Sequence, residues 1–225
     1  MIRIVGIDPS IASTGIARAD VEPADEVDGD TVVRAAGIVR GSWTGARGVP
    51  GKPTPTLRER WSRLDALADL VEAEAGDPDL YVIEGPAPGL SANRGGHDLS
   101  GAWWLLVDRI LSRRRRSSTD FLVIAPPKLK LYVAGSGGRE TDKVAMVAAV
   151  RRHYGPSFDL PLDKSIEDVS DAIGLVAIGA RFLGVPIDLD HPHRTEAMRS
   201  VGIRPTRKPP KAAATRRRKT PERTS

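Results

Sequence analysis

Four acids that lie far apart along the chain stand where carboxylates can do chemistry. Asp8 closes the apolar run IRIVGID, Glu84 closes LYVIE, and Asp168 and Asp171 open the segment SIEDVSDAIGLVAIGARFLG at 165–184. Singly, most have a plain structural explanation. An Asp or Glu at a strand end beside Pro or Gly is a common turn residue. Ser165-x-x-Asp168 has the form of a capping box, and acids favour helix N-termini. Asp171 fits that explanation poorly, because it lies a turn further in. It shares one helical face with Asp168, Ala172, Leu175, Ile178, Gly179 and Phe182, and the apolar part of that face should pack on a sheet. Unpaired buried charge is costly. Gathered in one pocket, four carboxylates repel and raise one another's pKa. A divalent cation removes that penalty. Oxygen donors in a chain without cysteine and with only four histidines favour Mg²⁺, with Mn²⁺ as a substitute. Two such ions, about 3.5–4 Å apart, are the arrangement that activates water and stabilises a leaving oxygen in phosphodiester hydrolysis.

The elements that must place these acids follow from pattern. Residues 2–7 read as a buried strand, and 14–20 and 31–40 as two more, with the acidic VEPADEVDGD as a hairpin connection. Residues 42–56 form a Gly/Pro/Thr loop. A helix over 57–75 places Trp61, Leu64, Ala68 and Val71 on one face and stops at Gly76-Asp77-Pro78. LYVIEGPAPG is a strand closed by Glu84, and SGAWWLLVDRILSRRRR is a helix with a cationic end. FLVIAPP is a short strand, and helices follow near 142–154 and 165–183. The order β-β-β-α-β-α-β-α-α predicts a mixed sheet flanked by helices. The expected organisation is a domain over 1–188, a linker or short turn of helix over 189–203, and a disordered basic tail over 204–225.

Composition narrows the partners. No apolar run is long enough to span a membrane, the N-terminus has no signal-peptide layout, and the lack of cysteine suits a reducing cytoplasm. The net charge of +5 is unevenly spread. Residues 204–225 hold nine Lys or Arg against Glu222 alone, +8, which leaves the body at −3. Such a tail either meets a polyanion or merely keeps the chain soluble. His191 and His193 make a poor metal motif and read as linker residues. The GSGG loop at 135–138 lacks the P-loop pattern. Trp103 and Trp104 read as core or dimer contacts before base-stacking groups.

GIDPSIASTGIA, YVIEG and DVSDAIGLVAIG, in that order, resemble the RuvC-type Holliday junction resolvases of the RNase H-like superfamily. A fourth block, APPKLKLYVAGSGGRETDKVAMV, is similar to that family's basic helix, Gly-containing loop and second lysine before a helix. The resemblance spans roughly residues 2–184. It implies an α/β, RNase H-like fold with a five-stranded mixed sheet, and Mg²⁺-dependent cleavage of branched DNA by a homodimer making two symmetrical nicks. It makes Asp8, Glu84 and Asp171 metal-binding acids and Asp168 a fourth, less uniform one. Lys130 and Lys143 match lysines that contact DNA phosphate or steady the transition state. Arg113, Arg114, Arg115 and Arg116 follow a helix that lies near the family's dimer interface. With Arg216, Arg217, Arg218 and Lys219 of the tail, they are candidate phosphate contacts.

Three departures bear on substrate. Ser10 stands where the family commonly has glycine. The segment after Glu84, GPAPGL, lacks the aromatic wedge of cellular members, which opens the substrate range to flaps and forks as well as four-way junctions. The tail is an addition. Competing readings are a non-catalytic junction-binding protein, an RNase H-like nuclease acting on RNA, and an ATPase of the actin type, which would need two lobes and a longer chain.

Overall fold

The computed structural model describes residues 2–11, 14–21, 33–35, 56–86, 96–113, 120–138, 143–155, 158, 160, 165–199 and 201. The expected hairpin connection, most of the loop 42–56, Arg114–Arg116 and the tail 204–225 lie outside them. So do most of 86–97 and the greater part of the third expected strand. Among the described residues no helix is long and apolar enough to cross a membrane.

The elements run β1 (Ile2–Asp8), β2 (Gly15–Val21), β3 (Val33–Ala35), α1 (Leu57–Ala75), β4 (Leu80–Glu84), α2 (Gly96–Arg113), β5 (Asp120–Ile124), α3 (Pro126–Ala134), α4 (Lys143–Tyr154), α5 (Ser165–Phe182) and α6 (Pro192–Met198). The sheet is mixed, as the element order predicts. β1 pairs antiparallel with β2 and parallel with β4, β4 pairs parallel with β5, and the three-residue β3 lies outside β2.

Strand alternation divides the core in two. Val5, Ile7, Tyr81 and Ile83 face α1 and α2 with Ala68, Val71, Trp103, Leu106 and Ile110. Ile4, Leu80 and Val82 face the other way, toward α5, with α3 and α4 beyond it. Asp8 keeps the parity of Ile4, and Glu84 that of Leu80 and Val82, so both acids belong to the α5 side.

Three expectations about helices change. α5 has no single inward face, because residues 172–180 are buried all round. The sheet covers one side, where a Cβ on Gly179 would meet Val82 and Ile4 at 2.7 and 2.9 Å. α3 covers another, where a Cβ on Gly174 would meet Val133 and Leu129 at 2.5 and 2.8 Å. Phe182, assigned to the inward face, is exposed beyond the end of that cover. Trp61 is likewise exposed, because burial on α1 begins only at Leu67. α3 is absent from the order read from pattern, since Pro126-Pro127 looks like a strand terminator. The two prolines occupy the first helical positions, where a missing N–H costs nothing and φ is preset. α3 ends at Gly135 in the left-handed conformation (φ 78°).

α6 is docked on the body by a buried carboxylate. Asp188 accepts hydrogen bonds from the hydroxyls of Tyr132 (3.0 Å) and Tyr154 (2.7 Å) and from Arg181 Nη2 (2.6 Å), and it pairs with Arg194 Nε at 3.4 Å. Those partners belong to α3, α4, α5 and α6. Lys128 Nζ donates to the Ala197 carbonyl at 3.3 Å, a further tie between α3 and α6. His193 is therefore no linker residue: it belongs to α6, half-buried, with its ring packed over Gly135.

Candidate metal and phosphate site

β1 and β4 lie side by side and parallel, with Ile7 opposite Ile83. Their next residues, Asp8 and Glu84, therefore end neighbouring strands at the same rim, close enough for the Asp8 side chain to act on the Glu84 carboxyl. The turn after Asp8 is closed by Thr14, almost fully buried, whose hydroxyl donates to the Ser10 carbonyl at 2.8 Å and accepts from the Ser10 amide at 3.3 Å. Serine in place of glycine is thus accommodated at Ser10.

α5 reaches this rim because of Gly6. A Cβ there would stand 2.2 Å from the Ala172 carbonyl oxygen and 3.1 Å from Leu175 Cβ, so no larger residue permits this approach of helix to strand. Asp171, next to Ala172, is carried to the carboxylates, and its charge acts on Glu84. The sequence signal for Gly6, a glycine two residues before a strand-end acid, is there to be seen, but the spacing of acids alone does not reveal it.

Burial pushes the Glu84 carboxyl up to about 7. The Asp8 side chain works against the shift, the Asp171 charge adds to it, and Lys130 opposes it. Burial likewise raises Asp171, against the positive charges of Lys130 and Lys143. Lys130 comes from α3, which starts directly after β5 and so rises from the same rim. Lys143 is the first residue of α4, exposed, with Nζ 3.5 Å from Glu167 Oε2 of α5.

Asp8, Glu84, Asp171, Lys130 and Lys143 are thus electrostatically linked at one end of the sheet. Asp168 lies one turn before Asp171 on α5, and its side chain is outside the described set, as is that of Arg113 at the end of α2. Arg114–Arg116 and the tail cations Arg216, Arg217, Arg218 and Lys219 are likewise not described. Among the described residues no three His, Asp or Glu side chains stand together as a ready metal cage. The donor chemistry nevertheless fits a hard cation. The donors are carboxylates only, half-buried, and Glu84 and Asp171 are held above their ordinary pKa, so positive charge would relieve both.

Pattern reasoning missed Trp103 as part of this site. It lies on the buried face of α2, as a core residue should, yet its indole Nε1 donates to the Glu84 carbonyl at 2.8 Å. Nothing in the spacing of Trp103 announces that bond. Trp104 is 65% exposed and meets Trp103 edge-on, with ring centroids 4.9 Å apart.

No protein-family model matches the chain, and no curated protein is significantly similar to it in sequence. Solved structures are similar. Thermus thermophilus RuvC superposes with a TM-score of 0.50 at 18% identity, over 83% of this chain and 99% of that one. The yeast mitochondrial Holliday junction resolvase Ydc2 gives 0.49 at 14% identity, over 77% and 76% of the two chains. The fowlpox virus Holliday junction resolvase gives 0.48 at 16%, over 80% and 99%. At such identities the likeness is one of fold, and on the Thermus superposition this chain has the fold of the RuvC-type Holliday junction resolvases.

Proposed function

We propose that the chain is a divalent-metal-dependent, structure-specific DNA endonuclease that hydrolyses phosphodiesters in four-way junctions or other branched DNA. The observation that carries this reading is the placing of Asp8 and Glu84 at adjacent parallel strand ends, with the Asp171 charge acting on Glu84. The four sequence blocks and the RuvC fold agree with it.

Asp8, Glu84 and Asp171, with Asp168 a turn away, would hold Mg²⁺ or Mn²⁺, two ions by the resemblance. When bound, they supply Lewis acidity toward the attacked phosphate and the water that attacks it. The protein's part is placement. Asp8 and Glu84 sit on strand ends that cannot shift separately, because the strands are neighbours. Glu84 and Asp171 are desolvated, which strengthens their hold on a cation. Lys130 is part-buried beside the acids and offers positive charge to the phosphoryl oxygens as negative charge grows there. Lys143, on the exposed side, meets the backbone of the incoming strand. The tail adds non-specific attraction to DNA.

The segment after Glu84 has no aromatic wedge, so flaps and forks belong to the expected substrates. A homodimer is expected through α2, where Trp104 and Leu111 are 65% and 52% exposed.

The test is cleavage of a synthetic four-way junction in Mg²⁺ by wild type and by Asp8→Asn. Wild type should nick strands near the branch point, and the variant should lose at least about 100-fold in rate, the scale of losing a transition-state contact. Equal behaviour of the two sinks the reading. An RNA duplex cut in preference to the junction would redirect it to RNA.

A further inference from the structure

We propose that Trp103 is a positioning residue for Glu84, supplying from α2 the hydrogen-bond donor that the end of β1 cannot provide. The inference rests on the reading of Glu84 as a metal-binding acid.

The Gly85 amide donates to the Ile124 carbonyl of β5 at 2.8 Å. Successive residues of an extended strand address alternate neighbours, so the backbone of Glu84 addresses β1. The paired stretch of β1 and β4 ends at Ile7 opposite Ile83. Beyond it on β1 come Asp8 and then Pro9, and a proline has no amide hydrogen with which to continue the ladder. The Glu84 carbonyl would be left without a strand donor at the place where the carboxylate must be held still. Trp103 fills the gap with its indole N–H at 2.8 Å.

Trp103 is built to hold that position. It is 8% exposed, its ring lies in the cluster of Val5, Ile7, Ile83 and Leu106, and Trp104 packs edge-on against it. The Glu84 side chain leaves the strand toward α5, whereas the indole belongs to the α1/α2 side. The acid is thus held by its backbone from one side of the sheet and faces its ligand on the other. Pro9 turns the chain sharply after Asp8, and Trp103 compensates for the donor that this turn removes.

Trp103→Phe keeps an aromatic ring and deletes only the donor and part of the volume. Calorimetric titration with Mn²⁺, without DNA, should show metal affinity weakened about tenfold, the lower end of what losing a partner that orients a metal ligand costs. Thermal denaturation of the metal-free variant should remain a single cooperative transition, which separates positioning from unfolding. A second measurement stands if that variant does not fold. In ¹⁵N-labelled wild type, the indole resonance of Trp103, assigned by elimination with Trp43→Phe, Trp61→Phe and Trp104→Phe, should move on addition of Mg²⁺.

Metal binding by wild type with unchanged affinity in Trp103→Phe overturns the inference alone, as does a Trp103 resonance indifferent to Mg²⁺. Failure of wild type to bind Mn²⁺ overturns the metal-site reading, and the inference falls with it.

Discussion

Two carboxylate centres lie on the same side of the sheet, and they are built on opposite principles. Asp188 is surrounded by its own compensation. Two tyrosine hydroxyls and two arginines converge on it, with side-chain exposures of 2% for Asp188, 14% for Arg181 and 3% for Arg194. Burial would lower the Arg181 pKa, but the bonds Arg181 donates to Asp188 and Tyr132 outweigh it and hold the guanidinium charged. At the rim, Asp8 and Glu84 end neighbouring strands, and the charge of Asp171 acts on Glu84. Lys130 and Lys143 act on Asp171 by charge, and burial still raises both Asp171 and Glu84. The first centre is complete within the chain. In the second, burial and like charge hold Glu84 and Asp171 above their ordinary pKa, so on the proposed reading a bound cation would relieve what the described residues do not.

The largest expected effect sharpens that contrast through stability. Asp188→Asn removes the carboxylate paired with the buried Arg194 and leaves Arg181 with Asp190 alone, and it should cost about 3–5 kcal/mol, the range for breaking a buried pair by removing one partner. Asp171→Asn removes a carboxylate that burial disfavours, so it should leave metal-free stability unchanged or raised. Denaturant titration of the two variants in EDTA gives the comparison. If both destabilise equally, the rim is an ordinary structural cluster.

The next effect is the pH dependence of Glu84 itself. Its folded-state pKa of about 7 lies above the unfolded value, so the folded protein binds this proton more tightly than the unfolded chain does. The associated stability is fully present below the unfolded pKa of about 4.5 and is lost as pH rises through about 7. Between those limits metal-free wild type should lose roughly 3 kcal/mol relative to Glu84→Gln, since each tenfold change in proton affinity is worth about 1.4 kcal/mol. Saturating Mg²⁺ should abolish this loss in wild type and leave Glu84→Gln little changed. Parallel pH–stability curves for the two proteins in EDTA would show that Glu84 carries no such strain.

Much of this was legible in the sequence, for reasons that differ between elements. β1, β4 and α5 are strongly patterned, so the strand ends at Asp8 and Glu84 and the turn of helix bearing Asp171 could be placed before any contact was known. α3 is hidden from pattern, and is reached only through the resemblance's basic helix, because Pro126-Pro127 has opposite meanings at a strand end and at a helix start. Periodicity misplaces Trp61 and Phe182, because it reports a face and not whether anything covers it. The Asp188 hub could not be read at all: Tyr132, Tyr154, Arg181 and Arg194 have no common spacing and meet only through tertiary packing. The same holds for Trp103, whose bond to Glu84 depends on the absence of one hydrogen at Pro9.

The smallest expected effect tests how loosely the rim holds its own cations. Lys143 and Glu167 are 3.5 Å apart with side-chain exposures of 73% and 44%, against the enclosed pair of Arg181 and Asp188. An exposed pair of this kind contributes about 0–1 kcal/mol, so Glu167→Gln should leave the denaturation midpoint nearly where it is. Its effect should appear instead in DNA binding. Freed from Glu167, Lys143 is more available to phosphate, and removing one acid beside the path of the strand lowers repulsion. Affinity for a four-way junction in Ca²⁺ should rise severalfold at low salt, and the gain should shrink as salt screens it. A fall in affinity would mean that Glu167 orients Lys143 rather than restrains it. A large loss of stability would place Lys143 with Arg181, among the cations that hold the fold and not those that meet a substrate.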